Sequence, residues 1–277
     1  MTLRERFHNL MNFQPVDRIP MIEWAPWWHM TTDRWKQEGL VVELREGLWE
    51  NESLEVQFGL DLHMQSWIGC FTDRTPRAPF HGGPIVGTME EYLAIKPTLY
   101  PDDPLDHDRM RRIAEAQKRG EVIAWITLDG MFWGPRNLLG IEPHLFAFYD
   151  DPELMHAINR DITDYIVDSD GDISLALPWF ANAGVEGILP LERQAGVDLL
   201  NLREQFPNFL FIGHFDKMVM PLGEAAMRAE FDRILPVMRQ GGFIPSVDHQ
   251  TPPGVSLENY RVYLRLLKEY CEKAAQK

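Results

Sequence analysis

Cysteine is almost absent. Cys70 and Cys271 lie far apart in 277 residues, with no CxxC and no Cys/His cluster. One disulfide between them is the alternative to two unpaired thiols in a reducing cytoplasm, which are the expectation. Positive charge is also scarce: 27 Lys and Arg stand against 42 Asp and Glu, a formal net charge of −15. Such a balance argues against nucleic acid and anionic membrane surfaces as partners, because both need basic patches. It constrains small substrates less, since a local pocket can oppose the global sign. No apolar stretch reaches 18 residues, and Met1-Thr2-Leu3-Arg4-Glu5-Arg6-Phe7 carries no apolar signal region. A cytoplasmic protein with no membrane partner is therefore expected. Internal repeats and low-complexity segments are missing too.

What is present is a normal apolar share, 45%, and a recurring pattern. Four apolar runs in the last 110 or so residues stop on a charged or metal-capable side chain. They are Tyr165 to Asp170, Gly187 to Glu192, Phe209 to Asp216 and Gly242 to His249. Helical patterns separate the last three and another follows the fourth. Short buried strands alternating with helices predict a parallel sheet. Polar residues where each strand stops predict an α/β fold of the TIM-type (β/α) barrel, which keeps its chemistry at the carboxyl ends of its strands. Residues 1–277 are expected to form one such domain.

Earlier in the chain, residues 3–12 read as an amphipathic helix and Arg18 to Trp24 as a strand ending at Glu23. Trp24, Trp27, Trp28 and His29 follow within six residues. Such an aromatic cluster suits a flat-ligand pocket, with Trp24 and Trp27 against substrate, or a roof over the barrel mouth. Leu60 to Phe71 and Glu121 to Asp129 read as further strands, the second again closing on a carboxylate. A charged helix fills 105–119. The helix from Pro152 places Leu154, Met155, Ile158, Ile162, Tyr165 and Ile166 at a 3.6-residue period. It then meets the strand at Ile166 without a Gly, Pro or Asn turn, whereas such connections normally take about 2–6 residues. Either the helix stops near Asp161 or a unit is missing. Glu224 to Gln240 and Asn259 to Ala275 are clean covering helices, the first ended by Gly241-Gly242.

The densest chemistry lies in Asp168-Ser169-Asp170-Gly171-Asp172. Alternation along a strand puts Asp168 and Asp170 on one side, where two carboxylates repel unless a cation or a proton lies between them. Asp172 reads as a helix cap. His249 ends the last strand beside Asp248 and can face the Asp168 strand across a closed mouth. Two oxygens and one nitrogen from Asp168, Asp170 and His249 suit a divalent metal of the zinc or manganese type. Glu192, His214, Asp216, Asp129 and Glu23 belong to the same rim. Glu192, Glu23 and Asp216 are candidate acid–base groups, and Asp129 and His214 candidate substrate contacts.

Several segments resemble the uroporphyrinogen decarboxylase superfamily: Gly171-Asp172-Ile173, Ala183 to Glu192, Gly213-His214-Phe215-Asp216-Lys217, Gly241 to His249, and the opening Arg4-Glu5-Arg6-Phe7 with Pro15-Val16-Asp17-Arg18-Ile19-Pro20. The resemblance implies a β/α barrel. It also implies either cofactor-free decarboxylation of a tetrapyrrole's acetate side chains or zinc-dependent methyl transfer between a corrinoid carrier protein and a thiol-like acceptor. Where the methyltransferase branch carries a His-x-Cys pair and a final Cys, this chain has Asp168, Asp170 and His249. Where decarboxylases carry an arginine-bearing stretch and an aspartate, Glu23 to His29 holds no arginine and Gln65-Ser66-Trp67-Ile68 no aspartate. The family has a β/α unit between the Pro152 helix and the strand at Ile166, and this chain lacks it. Seven strands are counted where eight are expected, which leaves an edge for a partner copy to cover. The leading expectation is a metal-assisted methyltransferase acting on a small-molecule substrate, with a divalent metal and a corrinoid. A metal-independent lyase and a barrel without catalysis are the alternatives.

Overall fold

A computed structural model describes every residue except Pro26, Asp102, Pro104, Asp129, Met131, 164–176, 183–184 and Lys277. In chain order the elements are α1 (Leu3–Met11), α2 (His29–Gln37), α3 (Glu50–Gln57), β1 (His63–Ile68), α4 (Met89–Ile95), α5 (His107–Lys118) and β2 (Ile123–Leu128). There follow α6 (Trp133–Leu139), α7 (Ile141–Asp150), α8 (Pro152–Thr163), α9 (Leu177–Asn182), β3 (Gly187–Leu191), α10 (Leu199–Gln205), β4 (Leu210–Phe215), α11 (Glu224–Met238), β5 (Phe243–Val247) and α12 (Leu257–Ala275). The fold is mixed α/β with short parallel strands, and among the described residues its sheets are small and not closed. Two compact units divide the chain. One comprises Met1–Met64, Arg112–Ala124 and Asp170–Lys277, the other Gln65–Arg111 and Trp125–Ser169. No helix among the described residues is long and apolar enough to cross a membrane.

The first unit holds the parallel sheet β3-β4-β5. β4 and β5 run in unbroken register from Phe211 opposite Phe243 to Phe215 opposite Val247. β5 is buried throughout, as a strand covered on both faces must be. Between β3 and β4 the register slips after Ile188, so that Leu191 falls opposite Gly213. The extra residue is on β3, and on β4 beside it Gly213 (φ +108°) and His214 (φ +70°) have positive φ. A Cβ on Gly213 would stand 3.2 Å from the Leu191 nitrogen, so glycine fits both the dihedral and the close approach.

The apolar stripe read on α11 is real, with Met227, Phe231, Ile234, Leu235 and Met238 all buried. Phe231 stacks on Tyr270 and Tyr263 of α12, with ring centroids 4.9 and 5.9 Å apart. Arg203 ties the bottom of the sheet together. Its buried guanidinium donates to the carbonyls of Pro207 (2.9 Å), Phe209 (2.8 Å), Gly241 (3.1 Å) and Gly242 (3.1 Å).

The second unit packs Tyr92 of α4, Leu138 and Leu139 of α6, Ala147 of α7 and Leu154, Met155 and Ile158 of α8 around one core. The Tyr92 hydroxyl donates to Asp161 Oδ2 at 2.6 Å, and Lys96 Nζ lies 2.6 Å from the same oxygen. α8 is described as far as Thr163, two residues past Asp161.

One expected strand is corrected. Arg18 to Trp24 forms no ladder among the described residues. Its backbone donors go elsewhere: Ile19 N–H to the Cys271 carbonyl (3.2 Å), Met21 N–H to Asp61 Oδ2 (2.8 Å) and Trp24 N–H to Ser246 Oγ (3.3 Å). Pro20 has no N–H to give, so a regular ladder through this segment would be broken at its middle. The expected strand at Ile166–Asp170 lies outside the described residues.

Candidate functional site

Three loops leave the carboxyl ends of β3, β4 and β5, and each carries charged side chains. Glu192 follows β3 and opens a short 3₁₀ turn, Arg193–Ala195. His249 stands two residues past β5. Its Nε2 lies 3.9 Å from Glu192 Oε1, with the side chains 32% and 15% exposed. That separation is beyond a hydrogen bond. The imidazole is braced by Trp24, whose ring meets it edge-on at 6.0 Å between centroids. Trp24 is itself pinned, with Nε1 donating to the Val247 carbonyl at 2.7 Å.

Asp248 lies fully buried between these loops. Its Oδ2 accepts from the Gln194 N–H at 3.3 Å, and its Oδ1 accepts from the Lys217 N–H at 3.3 Å. The Lys217 ammonium stands 3.7 Å from Oδ1 and is nearly buried. Burial holds the Asp248 carboxyl above its ordinary pKa, while Lys217 and the two N–H donors pull the other way.

Glu23 is buried behind Trp24. It accepts from Ser246 Oγ at 2.6 Å, the Val247 N–H at 3.2 Å and the Tyr260 hydroxyl at 3.4 Å. Burial pushes its carboxyl up to about 7, the three donors oppose that shift, and the Glu55 carboxylate adds to it.

Other predicted site residues have structural partners. Trp27 belongs to a buried aromatic cluster with Trp35 (6.0 Å), Phe58 (5.6 Å) and Tyr260 (5.8 Å), so it packs the interior instead of walling a pocket. His214 is fully buried. Its Nε2 accepts from the Leu199 N–H at 3.4 Å and lies 3.3 Å from an Arg233 guanidinium nitrogen. Burial, then the nearby Arg233 and Arg193 charges, drives its pKa down to about 3, so the ring is neutral at physiological pH. Arg233 also grips Glu230 at 2.8 and 2.5 Å, and Glu230 accepts the Asp216 N–H at 3.1 Å. Asp216 caps the 3₁₀ helix Lys217–Leu222 through the Met218 N–H at 2.8 Å.

Glu192, His249 and Trp24 are thus brought together, with Glu23 buried next to them. Asp129, Asp168 and Asp170 lie outside the described residues. Among the described residues no group of three or more His, Cys, Asp or Glu is arranged to hold a metal. The sequence reading passed over Asp248 and Lys217, whose role depends on partners 54 and 31 residues away from Asp248. No family model matches this chain, and a search of curated proteins gave no match.

Proposed function

We propose that this chain is a metal-assisted methyltransferase of the uroporphyrinogen decarboxylase superfamily, moving a methyl group between a corrinoid or methylated small molecule and a nucleophilic acceptor. The observation that carries the reading is the partly exposed His249 side chain, its Nε2 set 3.9 Å from the Glu192 carboxylate at the ends of parallel strands. The reading entails a (β/α)-barrel frame lacking one β/α unit, for which the parallel order of β3, β4 and β5 is the support. It also entails a corrinoid carrier as partner.

The donor chemistry is of the kind a divalent ion of the zinc or manganese type takes: an imidazole nitrogen beside a carboxylate oxygen. His249 would be one of its ligands. A bound ion supplies positive charge that lowers the pKa of a thiol or hydroxyl acceptor. The chain's own residues do the rest. Trp24 walls the site and fixes the imidazole plane. Glu192 takes the acceptor's proton as the acceptor lone pair bonds to the methyl carbon and the old bond to that carbon breaks, its electron pair leaving with the donor. General-base help of this kind is worth roughly 10²–10⁴-fold.

The test is spectrophotometric demethylation of a methylated corrinoid by a thiol, with zinc-loaded wild type, His249→Ala and Glu192→Gln. Turnover by wild type, abolished in the first variant and slowed roughly 10²-fold or more in the second, is expected. Equal rates in wild type and His249→Ala would remove the reading. A metal-independent lyase is the second reading, favoured by Glu23, a buried carboxyl that keeps its proton up to about pH 7. Porphyrinogen turnover by metal-free protein would establish it.

A further inference from the structure

We propose that Asp248 is a positioning residue that fixes the loop bearing His249 against the loops bearing Glu192 and Lys217, and thereby sets the affinity of His249 for a divalent cation. The inference rests on the reading of His249 as a cation ligand beside Glu192. The argument is one of connectivity. Glu192 is two residues before Gln194, Asp216 is next to Lys217, and His249 is next to Asp248. Each of the three loops bearing these residues is therefore fastened to one buried carboxylate, at 3.3 Å through Gln194 N–H and at 3.3 Å through Lys217 N–H. The Asp248 backbone N–H extends the frame by donating to the Phe215 carbonyl at 2.8 Å.

The two N–H donors reach different oxygens of the side chain, Gln194 to Oδ2 and Lys217 to Oδ1, so both positions must be acceptors, as they are in a carboxylate. Asparagine offers one oxygen and turns an NH₂ group against the other donor. The Lys217 ammonium, 3.7 Å away and nearly buried, supplies the opposite charge that a buried carboxylate requires. Lys217 also lies on the loop it helps to anchor. Without the clamp, the β3 and β5 loops lose their shared buried partner.

The experiment compares wild type with Asp248→Asn and Gln194→Pro. The second variant removes one N–H donor of the clamp and leaves the carboxylate in place, so it serves if the first does not fold. Arg203→Lys, far from the clamp at the opposite end of the strands, controls for a general loss of stability. Two readouts are taken. Zinc affinity is measured by calorimetry, and the His249 ring resonances, assigned by their loss in His249→Ala, are followed by NMR at fixed pH without metal. Loss of the clamp should weaken zinc binding about 10–100-fold, as the loss of groups that orient metal ligands does, while the control binds as wild type does. Glu192→Gln should shift the His249 resonances in the wild-type background and not in Asp248→Asn.

Zinc binding within twofold of wild type in both clamp variants would overturn the proposal. If wild type itself binds no zinc, the cation reading falls and NMR decides the positioning role alone. A Glu192→Gln shift that persists in Asp248→Asn then overturns it, and one that vanishes upholds it.

Discussion

Glu23→Gln offers a sharp test of the electrostatics beneath the site. The Glu23 carboxyl is held at about 7 against an ordinary value of 4.5, chiefly by burial. Between those two values the folded chain keeps a proton that the unfolded chain gives up. Stability must therefore fall as pH rises through this window and level off above about 7. The gap corresponds to roughly 3 kcal/mol, a large part of the 5–15 kcal/mol typical of a domain. Glutamine keeps the shape and carries no charge. Its oxygen can accept from Ser246 Oγ and the Val247 N–H, and its amide can donate to the Tyr260 hydroxyl. The assay is urea unfolding of both proteins from pH 5 to pH 8, taking the difference at each pH so that the other titrating groups cancel. The variant is expected to gain about 2.5 kcal/mol on wild type across that range and to be the more stable protein at pH 8. A difference independent of pH would refute the reasoning, as would a variant that loses ground as pH rises.

Two other predictions concern the frame. Arg203→Ala strands four carbonyls that share one buried guanidinium, and should lower the unfolding free energy by about 3 kcal/mol, with Arg203→Lys recovering less than half. Gly242→Ala meets two obstacles, a φ of +62° and overlap of the new Cβ with the Phe13 ring. It should cost about 3 kcal/mol by urea titration, and a second change, Phe13→Ala, should relieve the overlap but not the dihedral strain.

How far the sequence carried can be traced through particular residues. The run Phe209 to Phe215 and the helical stripe of α11 were legible because burial and period are local signals. Arg18 to Trp24 was read as a strand because a short apolar run bounded by a turn fits a buried strand. Pairing depends on what lies alongside, and here the Asp61 and Ser246 side chains and the Cys271 carbonyl take the backbone donors that a neighbouring strand would. Asp216 and Trp27 were singled out by residue type and place. The structure shows a helix cap and a core aromatic, distinctions that turn on where a side chain points. A cap signal was present, since Asp216 immediately precedes the 3₁₀ helix Lys217–Leu222. Asp248 had no such signal. A clamp whose partners sit 54 and 31 residues away is a property of the fold.

The central claim is that His249 belongs to a divalent-cation site at the ends of these strands. Its most direct test is the metal content of purified wild type and His249→Ala, both loaded with a mixture of divalent metals and desalted. About one tightly held ion per wild-type chain, lost in the variant, is the predicted result. No metal in either protein, or an equal amount in both, would contradict it.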